Sequence, residues 1–419
     1  MSDSWTGSKN DNNLGSSLTH RGRVLCALSH QEPDRVPIDL GGMDSTGIHA
    51  LAYVNLKEHL GMSSSPIKVF DPYQMVAKVE MDVLELIGAD VLSVPFDAKK
   101  YCEGKLPDGF SAEFPEKWKT VLLSDGSEVI LDEDGKVTAK KPESGLYFEP
   151  LDHPLENAGS VADIEAKKDV FRNWDWPYFA DQTLEEVGEV ARHLHEETDY
   201  LVMGNFAVHV FMGAQMIRGY ENFFIDLIQN PKIAECVMDN LVSEYVERFD
   251  KYAKSIGPYV QVINVNDDLG TQSSTQISPR LYRKMVKPYH ARLYRHIKTT
   301  WPGYLFMHSD GAIAPLIPDL IEIGVDILSP IQLSARGMDP TVLKRQFGDV
   351  LSFWGGGCDT QNILPYGTPQ DVRDEVRRRI DQLSPGGGFI FNQVHNIQPD
   401  VPPENIIAMY EAVAKYGNY

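Results

Sequence analysis

Two rhythms of apolar and polar positions alternate along this chain. Short runs rich in apolar and β-branched residues recur eight times: VPIDL (36–40), DVLSV (90–94), YLVMG (200–204), VQVINV (260–265), YLFMH (304–308), VDILS (325–329), LSFWG (351–355) and FIFNQ (389–393). Each is strand length, and turn formers or polar residues bound most of them, which reads as strands buried on both faces. Between them apolar residues return every three or four positions, as over 231–257 and 278–300, which predicts amphipathic helices. Pro231, Pro279, Pro340 and Pro369 stand at predicted first or second helical positions, where no hydrogen-bond donor is wasted. Eight strands alternating with helices predict one (β/α)8 barrel, a TIM-type α/β fold. A doubly wound sheet is the rival, but no GxGxxG follows the first run.

One stretch breaks the rhythm. From about Tyr101 to His153 the runs alternate around Asp125-Gly126 and Asp134-Gly135, which predicts a β-hairpin insertion after the second strand, about 101–153. On a barrel that position lies on the side of the strand-to-helix loops, so the insertion is expected to be a lid, a homodimer contact or a passive decoration. Residues 1–20 are polar with no apolar centre, and read as a flexible leader to a barrel over 21–419.

Composition narrows the function. With 419 residues, 42% of them hydrophobic, the chain can bury a large core. A formal net charge of -21 excludes a nucleic-acid binder, because nothing offsets phosphate repulsion. No apolar run is long enough to span a membrane. The four cysteines, Cys26, Cys102, Cys236 and Cys358, are scattered without a CxxC pair, the usage of a reducing compartment, so a cytoplasmic protein is expected.

A barrel gathers the residues just past its strands into one pocket. Here those are Asp39 and Asp44; Asp97; Asn205 and His209; Asn266, Asp267 and Asp268; His308 and Asp310; Gln332; Cys358 and Asp359; His395 and Asn396. Turn formers alone would not need imidazole and thiol, so the pattern points to an enzyme acting on a small molecule. Zinc favours imidazole and thiolate, so His308 and Cys358 are candidate metal ligands, with Asp310 or His395 completing or supporting the site. Asp97, Asp268 and His395 are the candidate acid–base groups, and Asn205, Asp267, Gln332 and Asn396 the candidate substrate contacts. Each has a structural alternative: Cys358 as a small apolar filler, His308 hydrogen-bonded inside the barrel, Asp268 capping the next turn with Asp267 solvated, Asp97 in water. The glycine runs at 355–357 and 386–388 do not match the GxxxxGK[ST] phosphate loop.

RVLCALSHQEPDRVPIDL near the start, HSDGAIAPLIPDLIEIGVDILSPIQ in the middle and HNIQPDVPPENIIAMYEAV near the end resemble the uroporphyrinogen decarboxylase superfamily. The resemblance covers nearly all of the chain after about residue 20 except the insertion, and implies a (β/α)8 barrel. True uroporphyrinogen decarboxylases carry an arginine-bearing RQAGR segment after the first strand; here that place reads LGGMDSTGIHALAY, without arginine. Their aspartate near the second strand end falls close to Asp97, and their late histidine matches His395. The superfamily's corrinoid-dependent methyltransferases move a methyl group to or from a corrinoid carried by a partner protein. Those acting on thiols hold zinc with a His-x-Cys and a later Cys. His308 takes the first position, Asp310 the middle one and Cys358 lies near the last. The resemblance therefore implies a methyltransferase or O-demethylase component with zinc and a corrinoid partner protein. The alternatives are decarboxylation of a carboxylated tetrapyrrole, and a non-catalytic small-ligand binder.

Overall fold

A computed structural model describes residues 18–62, 66–106, 108–132, 134–172, 174 and 179–419. Seven parallel strands, Val91–Val94, Leu201–Asn205, Val262–Asn266, Tyr304–His308, Ile327–Ser329, Ser352–Trp354 and Phe389–Ile390, pair in chain order into one curled sheet. The first predicted strand closes it. Residues 36–40 are extended rather than fully laddered, with a single parallel bridge from Ile38 to Phe391. The Asp39 amide donates to the Phe391 carbonyl at 2.9 Å, and the Asp90 amide to the Ile38 carbonyl at 2.8 Å. The (β/α)8 reading therefore holds, with its seam at the first strand.

Alternate strand residues face inward, and eight of them, Val91, Leu201, Met203, Val262, Phe306, Ile327, Trp354 and Ile390, form one buried apolar cluster. Phe306 meets Trp354 edge to face at 5.5 Å. Helix His20–Leu28 lays Val24, Ala27 and Leu28 into the same cluster and closes the N-terminal opening. Thr19 caps this helix by accepting from the Gly22 amide, and His20 bonds Asp90 at 2.8 Å. Leu18 to His20 thus belong to the fold and not to a loose leader; residues 1–17 of that leader lie outside the described residues. The outward faces of the strands pack under helices such as Pro231–Ile256 and Pro369–Leu383, and both of these begin on the proline the sequence places there.

The insertion is larger than a hairpin. Tyr101–Lys105 and Ser111–Pro115 do form one, but its second strand also runs parallel to Ile67–Asp71, a strand the apolar pattern does not reveal. A four-stranded antiparallel meander follows, Thr120–Leu122, Glu128–Leu131, Val137–Lys141 and Glu149–Pro150. Its first two turns are the expected Asp-Gly pairs, with Gly126 and Gly135 at φ of 78° and 80°, a region other residues enter only with strain. No helix among the described residues is long and apolar enough to cross a membrane.

Candidate metal centre at the barrel mouth

His308 ends strand Tyr304–His308 on the inward face, two residues beyond the core residue Phe306. The chain then turns through Gly311, at φ of 92°, so that Asp310 folds back beside it. His395 follows the last strand. The Nε2 atoms of His308 and His395 each lie 3.8 Å from Asp310 Oδ2, and one ligand atom from each residue falls within 4.8 Å of the others. His308 is buried, while the side chains of His395 and Asp310 keep 24% and 31% exposure, so the group opens to the mouth.

The loops carrying this group are pinned by close backbone approach. A Cβ on Gly270 would stand 2.7 Å from the Ala312 nitrogen and the Asp310 carbonyl oxygen, and one on Gly311 would stand 2.4 Å from the Gly270 carbonyl carbon. Only glycine at both places lets loop 268–272 lie on loop 309–312. That contact sets Asp268 against Asp310, whose amide donates to Asp268 Oδ1 at 2.8 Å. Burial first, and the Asp310 charge second, raise the Asp268 carboxyl above its ordinary range, against the pull of His308 and His395. The Gln332 side chain accepts from the Gly311 amide at 2.6 Å and holds the same turn.

Two imidazole nitrogens and one carboxylate oxygen make a three-ligand set of the kind that holds catalytic zinc with a position left open. The surroundings fit such a group. His395 Nδ1 is engaged by Asn396 Oδ1 at 2.6 Å, which turns Nε2 toward Asp310. The Oδ1 of Asn266, the residue paired in register with His308, and the Nδ1 of His308 are both buried without a protein partner among the described residues. Such atoms are satisfied by a bound molecule or solvent.

Other predicted residues are placed differently. Cys358 is not in the group: it is fully buried in the outer apolar core, and burial pushes its thiol well above the ordinary range, with Glu375 and Asp359 adding to the effect. The reason is local. Gly355 and Gly356 both take positive φ and carry the chain away from the mouth before the cysteine arrives. Asp267 is no substrate contact. It is fully buried and accepts from the amides of Val210, Phe211 and Met212 at 2.6–2.8 Å, closing the N-terminus of helix Phe211–Arg218, and from His290 Nε2 at 2.7 Å. Asp97 sits in a separate cavity of about 530 Å³ between the first two strands and helix Leu184–Glu197, whose lining includes none of His308, Asp310 or His395. Its carboxylate is held by Lys78 Nζ at 3.1 Å and by the Tyr101 hydroxyl. Asn205 faces inward at its strand end; its Nδ2 donates to Ser93 Oγ at 2.8 Å and its Oδ1 is buried without a partner among the described residues.

Three residues of the mouth carry no signal in the strand-end pattern. Asp71 ends the unforeseen strand Ile67–Asp71 and Gln74 lies in the turn after it, where Gln74 bridges Asp44 Oδ2 at 2.9 Å to Asn396 Nδ2 at 3.4 Å. Burial, and then the Asp44 charge, push the Asp71 carboxyl up to about 7. Tyr147 comes from the insertion, and its hydroxyl lies between Asn396 Oδ1 at 3.2 Å and Gln398 Nε2 at 3.0 Å. Burial, and then the Asp310 charge, push that hydroxyl up to about 12.

The family model described as "Uroporphyrinogen decarboxylase (URO-D)" matches residues 156–416. A uroporphyrinogen decarboxylase of Pseudoalteromonas translucida is 25% identical over 291 residues, 65% of this chain and 75% of that protein. One of Xanthomonas euvesicatoria is 30% identical over 151 residues, 33% of this chain and 39% of that protein. A solved methyltransferase from Methanosarcina mazei superposes with a TM-score of 0.59 at 15% identity, covering 95% of this chain and 99% of its own, a likeness of fold. The family match takes in well over half of the sequence and every residue of the His308–Asp310–His395 group, and the chain belongs to the uroporphyrinogen decarboxylase family.

Proposed function

We propose that this chain is a methyltransferase that moves a methyl group from a small methylated donor, such as a methyl ether, to a corrinoid carried by a partner protein, or from a methyl-corrinoid to an acceptor. The observation that carries this reading is the convergence of His308, Asp310 and His395 at the mouth, with Asp268 beside them. Zinc held by these three would act as a Lewis acid on the atom that carries the methyl group. The chain's own residues do the rest. When the methyl leaves an ether oxygen, the bonding pair stays on that oxygen, which then takes up a proton. Asp268 gives one oxygen to the Asp310 amide and keeps Oδ2 for this transfer. Asn396 holds the His395 ring in place.

Electrostatics support methyl transfer over decarboxylation of a polycarboxylate. Asp44, Asp71, Asp268 and Asp310 share the mouth and its rim, and none is paired with lysine or arginine among the described residues. An octacarboxylate porphyrinogen would meet repulsion there. The test is metal content of protein purified without chelator, then methyl transfer to cob(I)alamin from a panel of methyl ethers. About one zinc per chain is expected, lost in His308→Ala and His395→Ala, together with the transfer activity. Uroporphyrinogen turnover by metal-free protein, unaffected by those substitutions, would overturn the reading. Ligand binding without turnover, with affinity unchanged in His308→Ala, would point to a non-catalytic binder.

A further inference from the structure

The insertion lies outside the segment matched by the family model, yet one of its side chains reaches the candidate metal centre. The hydrogen bonds around that contact have a forced direction. The Asp44 carboxylate accepts from the Gln74 amide Nε2 at 2.9 Å. Gln74 then presents Oε1 to Asn396, which must offer its Nδ2, at 3.4 Å. With Nδ2 committed on that side, Asn396 turns its carbonyl Oδ1 to the other. That oxygen meets three donors: His395 Nδ1 at 2.6 Å, Gln398 Nε2 at 2.6 Å and the Tyr147 hydroxyl at 3.2 Å. Tyr147 is itself oriented, because its oxygen accepts from Gln398 Nε2 at 3.0 Å and leaves its hydrogen for Asn396. A carbonyl oxygen cannot donate, so neutral His395 must carry its hydrogen on Nδ1. Its Nε2, the atom facing Asp310, is left with a free lone pair.

We propose that the insertion is a working part of the site: Tyr147, acting through Asn396, fixes His395 in the tautomer whose Nε2 is unprotonated and faces Asp310. Tyr147 is a positioning residue in this scheme, and Phe148 next to it anchors the segment in the apolar core of the meander with Ile130 and Ala139. Without the tyrosine hydroxyl the Asn396 amide loses one of the donors that hold its carbonyl toward His395. Flipped, it would present Nδ2 and select the tautomer with hydrogen on Nε2, which cannot bind a metal there. The part of this inference that concerns metal rests on the reading given under Proposed function; the tautomer itself does not.

The experiment reads the two separately on the full chain. Protein labelled with ¹⁵N-histidine is examined by long-range ¹H–¹⁵N correlation at a pH where imidazole is neutral, with His395 assigned by His395→Gln. Cobalt(II) uptake is followed by its visible absorption. The expected wild-type pattern is hydrogen on Nδ1 of His395. Tyr147→Phe, which keeps the ring, should shift His395 toward the Nε2–H form and weaken cobalt binding about tenfold, and Asn396→Leu by more, within the roughly 10–100-fold range of ligand-orienting partners. Asn396→Asp, which retains an acceptor, should restore the Nδ1–H pattern. Hydrogen on Nε2 in the wild type, or an unchanged tautomer in both Tyr147→Phe and Asn396→Leu, would overturn the inference. The expected tautomers with no cobalt uptake by wild type would sustain the orientation and defeat the metal reading alone.

Discussion

The two ends of the barrel treat buried carboxylates in opposite ways. At the closed N-terminal end Asp90 has no exposed surface and is met by Arg23 Nη1 and Arg35 Nη1 at 2.7 Å, by His20 Nδ1 at 2.8 Å and by the Ile38 amide at 2.8 Å. Burial alone would raise its carboxyl; the His20 hydrogen bond and the charges of Arg35 and Arg23 outweigh that and bring it below the ordinary range. Asp226 and Asp319 elsewhere also sit on arginine or lysine. At the mouth Asp268 and Asp71 are raised by burial and by neighbouring carboxylates, with no lysine or arginine paired to either among the described residues. One end is arranged for stability, and the other tolerates unfavourable charge for the sake of what it can bind.

Breaking the stable end should have the largest effect. Asp90→Asn strands two arginines and a histidine and is expected to cost about 3–5 kcal/mol in urea unfolding at pH 7, with metal uptake unchanged in the protein that remains folded. Because the folded carboxyl lies below its unfolded value, this stability is fully present above about pH 4 and is lost as pH falls through the folded value. At the mouth, Gly270→Ala must push loop 268–272 off loop 309–312; about 1–3 kcal/mol is expected, with weakened zinc binding because Asp310 moves. Cys358→Ser sharpens the contrast from within the core. It should lose about 1–3 kcal/mol by burying a hydroxyl yet retain zinc by metal analysis, whereas a Cys358 ligand would require its loss.

The smallest effect concerns the sign of the mouth's charge. Asp71 is raised to about 7, so its contribution to stability is greatest below the unfolded value near 4 and declines as pH rises through about 7. Asp44→Asn removes the neighbouring charge and should stabilise the protein by about 1 kcal/mol at pH 8 and by almost nothing at pH 4, read from paired unfolding curves. Equal effects at both pH values would break the comparison.

What the sequence made legible follows from local physics. Continuous apolar runs mark the inner strands because both faces are covered, and the prolines at 231, 279, 340 and 369 do open helices. His308, Asp310 and His395 were legible because strand ends converge in a barrel. Direction was not. Of the adjacent acids Asp267 and Asp268, the one read as a substrate contact, with solvation as its alternative, is the buried cap of a helix 55–57 residues away in sequence, a partnership no local pattern encodes. Cys358 has the right position along the chain and the wrong heading, set by two glycines at positive φ. Tyr147 was out of reach because it arrives from an insertion 249 residues before its partner Asn396.

The seam at the first strand has a kinetic consequence. Ring closure joins residues 36–40 to 389–391, and the Asn392 side chain reaches the Asp39 carbonyl across 353 residues of chain. Contacts of such separation carry the greatest loop-closure entropy and form after local ones. His395 lies just beyond that closing strand, in a loop tied to the first strand's side by the bonds of Ile397 with Gly47 and His49, so its final placement is coupled to the closure. A metal-binding signal during refolding would therefore report on that closure, a long-range event.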